Sequence, residues 1–418
     1  MAKIRKLVAR EILDSRGFPT VEVMVQLEDS SVGVFSTPTG ISVGKHEAVE
    51  LRDGDVKRYE GRGVLTALKN ILTFLAPKVI GKDSKDQKSI DKEMVEIDGT
   101  ENKSKLGANG ILAVSGAIAK AQAVSENLPL YAYVARLAGR KDKEPFSIPT
   151  QMFNILNGGK HGGGNIDFQE FMVVPPQANS YSQNLKMGVE IYYALKDVII
   201  SHSGVTLVGD EGGFAPVLYS NSDAFKILEE AVNKAGYNLG LTTFFSIDAA
   251  ASYLKDGNAY RIKDRPVALS GPEFIEYYAA LNEQFHLLSI EDPLSEDAWD
   301  DWQTLTEKMG NETLIVGDDL ITTNLDRLNK AISKKACNAV IIKPNQAGTI
   351  SETLEVVNLA KSSGLKIIVS HRSGETNDDF IADFAVGINA EYAKLGAPAR
   401  GERVAKYNRL LEIEHEIS

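Results

Sequence analysis

The chain has a single cysteine, Cys337. One thiol forms neither an intramolecular disulfide nor a thiolate metal cluster, so disulfide-stapled secreted domains and zinc modules are excluded and a reducing, cytoplasmic compartment is expected. Long apolar runs are missing too. No stretch reaches the roughly 18 uninterrupted apolar residues of a membrane span, and the most apolar one, GILAVSGAIAKAQAV (110–124), is broken by Ser115 and Lys120 and reads as a closely packed soluble helix. The opening MAKIRKLVAR is basic, yet EILDSRGFPTVEV follows it without the apolar core of a signal peptide. Basic residues are in deficit, 46 against 57 acidic for a formal net charge of −11, and no segment concentrates Lys and Arg. A nucleic-acid or membrane surface needs that concentration, so the expected partner is a small molecule or a metal, with no nucleic acid and no membrane. Fixed-period repeats and low-complexity tracts are absent as well.

What is present is an ordinary globular composition, 43% hydrophobic and 25% charged over 418 residues, arranged in two unlike parts. Residues 1–138 begin with the period-two alternation of half-buried strands (IRKLVAREIL, TVEVMVQLED) and turn helical after a glycine-containing loop at 36–46. This predicts a small α+β domain. The charged, proline-bearing GRKDKEPFSIP (139–149) is the expected linker. Over 139–418, short apolar runs alternate with helical segments, and their polar ends fall at Asp248, Glu291, Asp318, Lys343 and His371, 43, 27, 25 and 28 residues apart. That is about one βα unit per step, with one longer insertion. A parallel barrel and an open doubly wound sheet both give such a series; the length of the segment and the convergence of so many polar ends favour a (β/α)8-type barrel. Its first two strands are expected to form an antiparallel hairpin, because QMFNILNGGKHGGGNIDFQEFMVVPP (151–176) leaves no room for a helix between two apolar runs.

In a barrel the strand ends share one mouth, so Asp248, Glu291 and Asp318 become neighbouring carboxylates. Each alone reads equally well as a helix N-cap, but three in phase repel one another unless a cation lies among them. An all-oxygen set without Cys or His suits Mg²⁺ or Mn²⁺. Lys343, at the end of VIIKP, reads in isolation as a snorkelling surface lysine; facing those acids it becomes an acid/base candidate. SHRSGE (370–375) brings His371, Arg372 and Ser373 to the same mouth, where a guanidinium suits a phosphate or carboxylate. VGDEGG (208–213) is expected to end a further strand at Glu211, and FQEF (168–171) sets Glu170 between aromatic residues. GISVGKHE (40–47) is one residue short of a P-loop and has His46 where Ser or Thr is needed; GGKHGGG (158–164) lacks dinucleotide-binding spacing.

These residues lie in motifs that resemble those of the enolase family along nearly the whole chain: DSRGFPTVEV (14–23), HEAVELRDGD (46–55), NKSKLGANGILAVS (102–115), NGGKHGGG, QEFM (169–172), VGDEGGFAP (208–216), SIEDP (289–293), DDL (318–320), KPNQAGT (343–349), SHRSGET (370–376) and GAPARGER (396–403). The resemblance implies reversible, Mg²⁺-dependent dehydration of 2-phospho-D-glycerate to phosphoenolpyruvate, with two Mg²⁺ per site. Asp248, Glu291 and Asp318 would hold the first ion against the substrate. Lys343, its pKa lowered by nearby cations, would be the C2 base and Glu211 the general acid, supported by Glu170. His161, Gln169, Arg372, Ser373 and Lys394 match substrate-contacting positions, and His371 lines the same site. Ser42, flanked by Gly40 and Gly44 as hinges, matches a lid serine that binds the second ion, although Val43 replaces the usual threonine. Related sugar-acid dehydratases and racemases carry a Lys-x-Lys motif on an early barrel strand, which is absent here, and lack the lid serine. A homodimer or octamer, built through the N-terminal domain, and a presence at the cell surface are expected from the resemblance alone.

Overall fold

The computed structural model describes residues 2–40, 44–141 and 144–418. The N-terminal alternation forms β1 (Ile4–Leu13) and β2 (Pro19–Leu27), an antiparallel pair. A third strand, β3 (Val32–Ser36), joins the other edge of β2; its short run is interrupted by Gly33 and gives no clear alternation. Val21, Val23, Val25 and Leu27 of β2 are fully buried beneath the helix Ala108–Ser125. A Cβ on Gly33 would lie 2.2 Å from the Ala117 carbonyl oxygen and 2.3 Å from the Ala121 nitrogen. Sheet and helix therefore meet backbone to backbone, which is why this helix is built so largely from Ala, Gly and Ser. On the other face of the sheet, Val8 lies opposite Met24 and Met24 opposite Val34, with Val8 and Val34 exposed. Among the described residues, no helix is long and apolar enough to cross a membrane.

The second part is a barrel. Its strands are β4 (Thr150–Gln151), β5 (Phe153–Asn157), β6 (Glu170–Val174) and β7 (Phe244–Asp248). A small hairpin, β8 (Lys255–Asp256) with β9 (Ala259–Tyr260), occupies the longer insertion. There follow β10 (Leu287–Glu291), β11 (Leu314–Gly317), β12 (Ala339–Ile342), β13 (Lys366–Ser370) and β14 (Tyr392–Lys394). The sheet runs β4-β14-β13-β12-β11-β10-β7-β6-β5. β4 and β5 are one strand interrupted at Met152, whose N–H donates to the Ala393 carbonyl at 2.9 Å, while Asn154 N–H donates to Gly396 at 3.2 Å. That strand thus pairs with β14 on one side and with β6 on the other, and the ring closes. β6 is antiparallel to both β5 and β7, and from β7 onward every pair is parallel. The expected first hairpin is present.

One expected strand is not. Residues 202–220, between the helices Tyr181–Ser201 and Asn221–Lys234, contain only isolated bridges, Val208 to Phe214 and Leu156 to Phe214. Phe214 N–H donates to Ile155 and its carbonyl accepts from Asn157, so the chain doubles back on itself against β5 and cannot run on as a strand. Glu211 therefore lies in a turn of this loop.

Inside the ring, Met152, Met172, Val174, Val316, Ala339, Ile341, Ile368 and Tyr392 form a core of their own, separate from the larger core between strands and helices. Period-two alternation from these residues turns Glu170, Asp318, Lys343, Ser370 and Lys394 inward one layer above. In β10 a register shift between Leu287 and Ser289 resets the alternation, so that Glu291 joins the inner face.

Candidate active site

Each strand contributes one side chain to the mouth: Asn154, Glu170, Asp248, Glu291, Asp318, Lys343, Ser370 and Lys394. From β7 onward these are last residues or the residues just beyond; on the reversed β6 it is the first residue, Glu170, and on the broken first strand it is Asn154, near the start of β5. Of the residues singled out from the sequence, His161, Gln169, Glu170, Glu211, Asp248, Asp318, Lys343, His371, Arg372, Ser373 and Lys394 line one cleft of about 280 Å³. Glu291 lies just beneath them, 1% exposed and bound by Lys394 at 2.8 and 2.9 Å. Ser42 and Val43 lie outside the described residues.

Two ammonium groups sit among the acids. Lys394 Nζ reaches Glu170 at 3.3 Å and Asp248 at 3.4 Å besides Glu291. Lys343 Nζ pairs with Asp318 Oδ2, and Gln346 Nε2 donates to Asp318 Oδ1 at 3.1 Å. On another wall, His161 Nδ1 stands 3.5 Å from Glu211 and 3.6 Å from Glu170, His371 Nε2 stands 3.5 Å from Glu211, and Asn154 Nδ2 donates to Glu211 at 2.9 Å. Arg403 Nη1 lies 2.6 Å from His371 Nδ1. Arginine only donates, so Nδ1 accepts and any ring proton is on Nε2, facing Glu211.

Family models agree with this architecture. One described as the enolase N-terminal domain matches residues 4–134, and one described as the enolase C-terminal TIM barrel domain matches residues 145–418. The chain belongs to the enolase family. It is accordingly a lyase of the enolase type, and its chemistry is a dehydration.

The electrostatics of this site show what its mouth lacks. Burial pushes Glu291 well above the usual carboxylate range, and Asp248 beside it adds to the shift. Asp248 is itself raised by burial, against the pull of Lys394. Behind them Asp292 is raised by burial and by Asp319, which is pushed up to about 8 by burial and by Asp318. Four inward carboxylates against two ammonium groups leave an excess of negative charge in a dry site. The donor set is all oxygen on rigid strand ends, so Asp248, Glu291 and Asp318 fit a hard divalent cation. The tightest groupings among the described residues are Asp292, Asp318 and Asp319, and His161, Glu170 and Glu211.

Burial is the strongest influence on the Lys343 pKa and lowers it, as do the cations Arg372 and Lys394, while Asp318 and Glu291 raise it; the net shift is upward, opposite to the expected lowering. His161 shows the same contest: burial lowers it, yet Glu211 and Glu170 raise it to about 10. Glu211 is raised by burial but held well below its usual range by His161 and His371. One proton is thus shared within the His161–Glu211 pair and resides on the imidazole. The flanking glycines also have a reason other than hinging: a Cβ on Gly40 would lie 2.1 Å from Arg372 Nη2, and one on Gly44 2.9 Å from Asp319 Oδ1.

Sequence reasoning missed Asn154, Gln346, Glu47 and Arg403. Asn154 could have been found by counting two residues on from Met152. Gln346, Glu47 and Arg403 lie inside quoted motifs but off the barrel strands, so no alternation points to them.

Proposed function

We propose that this lyase interconverts 2-phospho-D-glycerate and phosphoenolpyruvate, with Mg²⁺ as its cofactor. Lys343 and the His161–Glu211 pair stand on separate walls of one cleft, a base and an acid for the two ends of an elimination, and this arrangement carries the reading. In the forward direction neutral Lys343 Nζ takes the proton from C2. The electron pair left behind forms the C2=C3 double bond as the C3–O bond breaks, and the hydroxyl departs as water with the proton held by the His161–Glu211 pair. Asp248, Glu291 and Asp318 would hold the cation, which when bound stabilises the negative charge developing on the substrate carboxylate. Once the charges of Asp318 and Glu291 are engaged there, the main influences left on Lys343 are burial, Arg372 and Lys394, all of which favour the neutral amine. Arg372 and Ser373 would receive an anionic substrate group, with Glu170 and Gln169 bracing the wall between. Self-association through the N-terminal domain belongs to the same reading; it is supported by the apolar row of exposed Val8, half-buried Met24 and exposed Val34, and sedimentation velocity reads it directly.

The test is absorbance near 240 nm on adding 2-phosphoglycerate with and without Mg²⁺, in parallel with Lys343→Ala. A metal-dependent rise that falls by about 10²–10⁴-fold or more in the variant is expected. A well-folded wild-type protein that leaves 2-phosphoglycerate unchanged across a range of Mg²⁺ would overturn the substrate assignment.

A further inference from the structure

Glu47 has no part in the mechanism above. It belongs to the N-terminal domain, yet its side chain is buried at the barrel mouth, 7% exposed as a residue. Its carboxylate accepts from Arg372 Nη1 at 2.8 Å and Nη2 at 3.3 Å, from the Gly44 backbone N–H at 2.9 Å and from Gln346 Nε2 at 3.4 Å. Gln346 also donates to Asp318, and its Oε1 accepts from Thr323 Oγ1 at 2.8 Å. That hydroxyl in turn accepts the Lys343 backbone N–H at 3.0 Å. One carboxylate thus ties together the guanidinium that faces the anion, a carboxylate suited to a cation, and the strand end that carries the base.

An exposed ion pair would contribute little. Here both side chains are only 4% exposed and the contact is two-point, which fixes the plane of the guanidinium. Asn345 Oδ1 accepts from the same Nη1 at 3.1 Å, and the absence of a Cβ at Gly40 lets the backbone close over Nη2. We propose that Glu47 is a positioning residue, which orients Arg372 toward the phosphate or carboxylate of an anionic substrate. Two effects oppose each other when Glu47 is removed. Loss of a counter-charge strengthens the field around Arg372, while loss of the anchor lets the pull of other acids such as Asp318 and Glu50 redirect the guanidinium. The second effect dominates, because in Glu47→Gln the amide also turns its NH₂ toward donors from Arg372 or Gly44. The inference rests on the enolase reading only for which anion is bound.

The experiment compares wild type, Glu47→Gln and the charge-conserving Glu47→Asp by steady-state kinetics, competitive inhibition by inorganic phosphate, calorimetric titration with inorganic phosphate and thermal unfolding. For Glu47→Gln, KM and the phosphate dissociation constant are expected to rise together by about fivefold or more, with a smaller change in kcat, an unfolding temperature below that of wild type but above the assay temperature, and a partial return in Glu47→Asp. Constants within about twofold of wild type, or tighter phosphate binding, would overturn the proposal. If Glu47→Gln does not fold, Glu47→Asp carries the test: its carboxylate sits one methylene back, so weaker phosphate binding is expected and unchanged binding refutes it. Should wild type fail to dehydrate 2-phosphoglycerate, the substrate reading fails, and the calorimetric comparison still decides the role of Glu47.

Discussion

Ile341 on β12 and Lys343 just beyond its end stand two residues apart and face the same interior, yet they belong to layers governed by different physics. The lower layer, with Met172, Val316, Ile341 and Ile368, is apolar and close-packed, and each side chain gains from its neighbours. In the upper layer Glu170, Asp248, Glu291 and Asp318 are each worse off for the presence of the others, and only Lys343 and Lys394 compensate them within the ring. Two residues below Asp248 and Glu291, the hydroxyls of Ser246 and Ser289, paired across β7 and β10, are buried without hydrogen-bond partners. The difference teaches that the lower layer holds the barrel together, whereas the upper one draws on that stability to keep charges at fixed spacing in a dry site.

The sharpest way to break this contrast is Lys394→Met. It leaves Glu170, Asp248 and Glu291 without their ammonium group, and breaking a buried pair of this kind costs about 3–5 kcal/mol. In Mg²⁺-free buffer the unfolding temperature should fall steeply, and added Mg²⁺ should restore more of it than it adds to wild type. An equal Mg²⁺ shift in both proteins would mean that these carboxylates are not where the cation binds.

The complementary change below it is Ile341→Ala, which leaves a cavity in the apolar layer and costs about 2–4 kcal/mol. Here denaturation should show lower stability with the same Mg²⁺ response as wild type. A changed Mg²⁺ response would show that the two layers are not energetically separate.

The smallest effect concerns pH. The folded pKa of His161 is raised from 6.5 to about 10, so its pairing stabilises the protein fully below pH 6.5 and the contribution is lost as pH rises through about 10. Because Glu211 and Glu170 share the same interactions, roughly 1–3 kcal/mol is expected over that window. His161→Gln should flatten the fall in stability between pH 6.5 and 10 by that amount, read from urea unfolding at each pH. A variant whose stability falls in parallel with wild type would refute the pairing.

Much of this was legible beforehand for reasons particular residues make clear. Asp248, Glu291, Asp318, Lys343 and His371 could be placed because each follows a short β-branched or apolar run, and parallel strands deliver such ends to one face. Glu211 was found by its motif but assigned to the wrong element: the run TLVG looks like a strand, and only its backbone bonds to β5 fold it into a loop. Asn154 was hidden because the broken strand from Thr150 to Asn157 gives no simple alternation. Glu47 was hidden because nothing local to HEAVELRDGD says that a barrel arginine will meet it.

By itself, then, the sequence determined the local elements, the repeating βα order, the lack of an intramolecular disulfide and of long apolar runs, and the residue types available at each strand end. These depend on periodicity and composition, which act over a few residues. The tertiary structure alone decided the closure of the ring through Met152, the inward turn of Glu291 at a register shift, the upward shift of Lys343 by Asp318 and Glu291, and the meeting of Glu47 with Arg372. Those outcomes depend on distances between residues far apart in the chain, and Coulomb and hydrogen-bond energies in a dry site are set by those distances.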